Sequence, residues 1–158
     1  MEESAKRAAL EAFAPLIGKW RSEATHPMFP GEIVTGEMTY EWLSGEAFLI
    51  QRSAMSDPRF PDSIVIVGFT DDNGDAGEGD DSATDELVGH YFDSRGVFRV
   101  YRLAMDDRTL RIWRDAPGFS QRLEAVLSED GSTLAGVWQL AREDESFEDD
   151  LAITFRRA

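Results

Sequence analysis

The sequence predicts an all-β chain, an antiparallel up-and-down β-barrel of about ten strands behind one short N-terminal helix. Three observations carry that expectation. Beyond residue 18 the apolar pattern runs with a period of two, so successive side chains point to opposite faces. Aromatic and β-branched residues dominate those segments. Most of the links between them are short, which makes sequence neighbours antiparallel, and ten such strands close into a barrel rather than leave raw edges.

The helix comes first. Ser4 is positioned to cap it, Ala5, Ala8, Ala9, Leu10, Ala12 and Phe13 are good formers, and Pro15 ends it. The strand candidates then follow in order. Lys19 to Thr25 leads through a Pro-rich link, residues 26–31, to Ile33 to Leu43. The turn Ser44-Gly45-Glu46 pairs that strand as a hairpin with Ala47 to Met55. Next come Ser63 to Phe69, Leu87 to Phe92, Val97 to Met105, Thr109 to Arg114, Phe119 to Leu127, Thr133 to Ala141 and Phe147 to Arg156. Between the fourth and fifth lies an acidic Gly/Asp-rich tract, residues 71–86, with almost nothing to bury, which reads as a flexible loop. A chain of 158 residues fits one domain, 1–158, and folding at that size buries roughly two-thirds of the unfolded surface.

Composition narrows the function classes. There is no cysteine, hence no disulfide framework, thiolate nucleophile or Cys-based metal site. The net charge of −15 disfavours nucleic acid and anionic membrane surfaces as partners. Eight of the 31 acidic residues lie between Asp71 and Glu86, leaving 23 against 16 basic residues elsewhere. No apolar run approaches the ~18 residues of a membrane helix, and the charged first residues lack the apolar centre of a signal peptide, so a cytoplasmic protein is expected. There is no P-loop, no G-x-G-x-x-G and no G-x-S-x-G elbow. The tract Asp71-Asp72-Asn73-Gly74-Asp75 fails the calcium-loop template, with Ala76 at the glycine position and Ser82 at the bidentate one. No metal or cofactor is expected.

The segment Gly18-Lys19-Trp20, a G-x-W just after the helix, resembles the lipocalins and the wider calycin group. The segments Gly89-His90-Tyr91-Phe92-Asp93 and 113–119 look like an uncharacterised bacterial lipocalin-like family, and the resemblance runs from Leu16 to Arg156. It implies that Trp20 plugs one end of the barrel under an arginine from the chain's end, Arg156 or Arg157. Two further groups share ten strands. Intracellular lipid-binding proteins hold carboxylates with interior Arg and Tyr. Nitrobindins hold haem through a His near the C-terminal end, whereas this chain has no histidine after residue 90.

The candidate site residues concentrate between Arg99 and Arg122, a basic and aromatic run in an acidic chain. Arg99, Tyr101, Trp113, Arg114, Gln121 and Arg122 lie on three successive strands. Alternation groups Arg99 with Tyr101, Leu103 and Met105, and Leu110 with Ile112 and Arg114. An inward Arg needs a carboxylate partner or an anionic ligand. Asp149, grouped by alternation with Phe147, Leu151, Ile153 and Phe155, is a candidate partner. His90, in mid-strand beside Tyr91, is a candidate pocket residue, whereas His26 reads as a loop residue. Tyr40, Trp42 and Trp138 extend the aromatic lining.

The leading expectation is a binding module that holds a small hydrophobic or amphipathic, acidic ligand. One alternative is a haem-type or acid–base enzyme that uses His90. The other is a non-catalytic interaction protein, with a homodimer among its forms, marked by an apolar surface patch.

Overall fold

Period-two patterning becomes ten strands whose bounds follow the apolar runs closely. They are β1 (Gly18–Thr25), β2 (Val34–Trp42), β3 (Leu49–Met55), β4 (Ser63–Phe69), β5 (Leu87–Asp93), β6 (Phe98–Asp106), β7 (Thr109–Arg114), β8 (Ser120–Leu127), β9 (Thr133–Ala141) and β10 (Glu148–Arg157). A computed structural model describes residues 2–69, 86–143 and 145–158. The predicted acidic loop, residues 71–86, lies outside the described residues except for Glu86. Every strand pairs antiparallel with its chain neighbours, and β1 pairs with β10, so the sheet is a closed barrel. Closure removes the free sheet edges that an open meander would expose.

The helix α1 (Glu3–Glu11) has Glu2 at its N-cap position, and Ser4 lies within it rather than capping it. Glu3 in its first turn supplies the negative charge that a helix N-terminus favours. Pro15 falls in a 3₁₀ turn, Ala14–Leu16, where its fixed φ and missing N–H suit the first turn. The helix and turn seal one end of the barrel. Phe13, Leu16 and Trp20 have no exposed surface there. The Trp20 indole N–H donates to the Leu16 carbonyl at 2.8 Å.

The remaining interior is built by alternation. From β6, Tyr101, Leu103 and Met105 enter the core; from β7, Leu110 and Ile112; from β8, Leu123, Ala125 and Leu127; from β10, Ile153 and Phe155. The interior side of β10 holds one exception to simple alternation. Its pairing with β9 shifts register between Asp149 and Leu151, so Asp149 faces Gln139 while Leu151 faces Trp138. Asp150 is the extra residue of a β-bulge. The expectation that Asp149 shares the face of Leu151, Ile153 and Phe155 is therefore corrected: the bulge turns Asp149 to the outside of the wall.

Candidate functional site

The two ends of the barrel differ. At the end sealed by α1, Arg157 lies opposite Trp20 in register, and its guanidinium carbon sits 4.1 Å from the indole centroid. Its donors go to the carbonyls of Gly131 at 3.1 Å, Ile17 at 2.6 Å and Pro15. Gly18 has φ +128°, and a Cβ there would stand 3.0 Å from the Arg157 guanidinium, so glycine is needed for both reasons. Of the two arginines that the sequence leaves open for this role, it is Arg157 that stacks on Trp20.

At the opposite end the inward positions become polar. Arg99 and Tyr101 come from β6, Arg114 from β7 and Gln121 from β8, each on the face that its strand turns to the core. Gln121 joins Arg99 to Tyr101. Its Oε1 accepts the Tyr101 hydroxyl at 2.8 Å and Arg99 Nη1 at 3.3 Å. Arg114 Nη1 donates to the Phe119 carbonyl at 3.1 Å, and the Arg99 guanidinium carbon lies 5.5 Å from the Phe119 ring centroid. Tyr101 meets Tyr91 and Trp138 edge-on at 5.8 and 5.9 Å, forming an aromatic wall below the two arginines.

Among the described residues neither Arg99 nor Arg114 forms an ion pair. A carboxylate does stand at this mouth, but it is occupied. Asp93 accepts the Tyr91 hydroxyl at 2.7 Å and Arg95 Nη2 at 2.6 Å, along with the backbone N–H groups of Arg95 and Val97. Its side chain has no exposed surface. The hydrogen bond from Arg95, together with those from Tyr91 and the backbone, holds the Asp93 carboxyl well below the usual range despite burial. Burial, and then the hydrogen bond to Asp93, pushes the Tyr91 hydroxyl up.

Deeper in the wall, Gln51 donates to the Met38 sulfur at 2.9 Å, while its buried Oε1 accepts nothing among the described residues. Tyr40 and Trp42 face inward from β2. Tyr40 is buried beside Gly18 in register, and burial raises its hydroxyl pKa. These two belong to the core on the Trp20 side of β2 rather than to the arginine mouth.

The remaining candidates lie outside the barrel. His90 pairs with Ile66 and Val100 on the outer face and stacks on Phe98, with ring centroids 6.2 Å apart. Even spacing decides this: Tyr91 takes the inward position, so its neighbour His90 cannot. Trp113, Arg122, Gln139 and Asp149 form a lateral row across the outside of β7 to β10. Arg122 stacks on Phe147 at 3.9 Å and donates to Gln139 at 2.8 Å, and Gln139 donates to Asp149 at 2.8 Å. This row borders an open groove of about 800 Å³. A second hollow of about 260 Å³ contains an interaction that sequence reading missed. His26 Nδ1 accepts the Met28 N–H at 3.1 Å, so Nε2 carries the proton of the neutral ring and donates to Asp150 at 2.7 Å. No sequence signal could have joined them, because the bulge is what aims Asp150. Among the described residues no group of three or more His, Cys, Asp or Glu side chains could hold a metal ion.

Fold and site together define a closed ten-strand antiparallel barrel, plugged at one end and lined with polar and aromatic groups at the other. The fold is similar to that of Rv2717c from M. tuberculosis, known from a crystal structure, with a TM-score of 0.56 at 14% identity, covering 94% of this chain and 96% of that one. A redesigned β-barrel is more distantly similar, with a TM-score of 0.39 at 11% identity over 94% of this chain and 96% of that one. No protein-family profile matches the chain. No curated protein sequence matches it either. No helix among the described residues is long and apolar enough to cross a membrane.

Proposed function

We propose that this barrel binds a small amphipathic acid, with its anionic head at Arg99 and Arg114 and its apolar part against Tyr91, Tyr101 and Trp138. One observation carries the reading: two inward arginines stand at one mouth without an ion pair among the described residues, in a chain of net charge −15. Partly desolvated cations are held against a cost unless an anion meets them. In so acidic a chain a carboxylate partner would have been easy to place there, yet Asp93 is taken by Arg95. Tyr101 and Gln121 add a hydroxyl and an amide beside the guanidinium of Arg99.

Isothermal titration with decanoate and with 1-decanol tests this directly. The acid binds and the alcohol binds at least tenfold more weakly, because charge-assisted hydrogen bonds contribute about 1.5–3 kcal/mol. Arg99→Gln and Arg114→Gln each lower decanoate affinity by about tenfold to a hundredfold while leaving the alcohol unchanged. Equal affinity for acid and alcohol, or Arg99→Gln binding like wild type, would contradict the reading.

A further inference from the structure

We propose that the outer face of β4, β5 and β6 is the surface through which two copies of this chain associate. A sheet with one face on the core ordinarily turns polar side chains outward. Here the outer positions read Ile64, Ile66, His90, Phe92, Phe98 and Val100. In register, Ile66 lies beside His90 and His90 beside Val100, while Ile64 lies beside Phe92 and Phe92 beside Phe98. Phe92, Phe98 and Val100 are 42%, 57% and 41% exposed. The two phenylalanine rings pack at 5.2 Å, and His90 lies on Phe98 with planes only 18° apart, so the patch is a preformed aromatic surface. No carboxylate stands in either row from β4 to β6. A contiguous apolar patch of this kind marks an interaction site.

Charge selects a second copy as the occupant. With a net charge of −15, two copies repel each other over most of their surfaces. On this face, among the described residues, each flank carries one cation and one anion. Arg52 pairs with Glu41 on the β3 side, and Arg102 with Glu86 at 3.3 Å on the β6 side. A two-fold axis lying in the contact plane and parallel to the strands sets the β3 flank of one copy against the β6 flank of the other. Each flank then meets its partner with no excess of either sign, and an isologous contact needs that self-complementarity. Counting β3, which carries the Arg52 flank, the face is four strands wide. At about 4.8 Å per strand that is about 15–20 Å across, the apolar core of a modest interface with a polar rim. A basic partner would find no carboxylate in these rows, and an anionic lipid surface would meet the chain's own charge.

Sedimentation equilibrium from about 1 to about 100 µM covers the affinities that such an interface supports. The expected mass rises with concentration from 17.7 kDa toward twice that value. The double variant Phe98→Thr/Val100→Thr adds no charge and keeps strand-forming residues. It stays at the monomer mass with an unchanged thermal midpoint. Val126→Thr, at a 49% exposed apolar position on β8, associates like wild type. A wild-type chain that remains monomeric throughout the range, or a double variant that associates normally, would overturn the proposal. So would binding of the wild type to phosphatidylcholine vesicles without self-association.

Discussion

Each end of the barrel sets arginine against aromatic rings, yet the two ends use the pairing differently. At the sealed end Arg157 covers Trp20 and spends its donors on three backbone carbonyls. At the other, Arg99 shares a single glutamine oxygen with Tyr101, and Arg114 reaches one carbonyl. An arginine whose donors end on fixed backbone acceptors is a fastening. An arginine at a mouth with donors to spare, and no ion pair among the described residues, is free under the proposed function to meet an anion. Residue type alone does not assign a role; the acceptors within reach do.

The largest expected effect breaks the fastening. Trp20→Ala removes the fully buried plug and should cost about 3–5 kcal/mol in chemical denaturation. Arg157→Gln loses the carbonyl contacts and the cover over Trp20, and should cost about 2 kcal/mol. The equivalent change at the open mouth, Arg99→Gln, should cost no more than about 1 kcal/mol, because it breaks one long hydrogen bond to Gln121 and no ion pair among the described residues. If Arg99→Gln were as destabilising as Arg157→Gln, the two ends would be doing the same job.

A smaller effect sharpens the contrast through pH. The folded-state pKa of Asp93 is depressed, chiefly by Arg95. Its stabilisation is therefore fully present above the unfolded value near about 3.9, and it is lost as pH falls below that toward the folded value. Wild type should lose stability on acidification below about pH 4. Asp93→Asn should begin less stable at neutral pH and lose less over the same acid range, as followed by urea midpoints at several pH values. An acid dependence identical in the two proteins would show that Asp93 does not couple to folding.

Much of this was legible in the sequence. Ser63 to Phe69, Thr109 to Arg114 and Thr133 to Ala141 are strands with the bounds that their composition predicts. The Gly18-Lys19-Trp20 segment located the plug, and alternation along β6 placed Arg99 and Tyr101 on the face of Leu103 and Met105. What failed was what periodicity does not encode. One bulged residue, Asp150, reverses the side on which Asp149 lies and delivers a partner to His26. Strand β4 is apolar on both faces, so its pattern gave no sign that Ile64 and Ile66 lie outside beside Phe92 and His90. His90 and Tyr91 are adjacent in the chain and fall on opposite sides of the wall, and only the strand register decides which one faces in.

The most direct measurement is the thermal midpoint of Arg99→Gln/Arg114→Gln, with and without decanoate, beside the wild type. The double variant should unfold within a few degrees of the wild-type midpoint on its own, because it loses two hydrogen bonds but no ion pair among the described residues. Decanoate should raise the wild-type midpoint and leave that of the double variant where it is, since a ligand stabilises only the folded state that binds it. A decanoate shift of equal size in both proteins, or a double variant that unfolds well below the wild type, would contradict the assignment of these arginines to a ligand rather than to the fold.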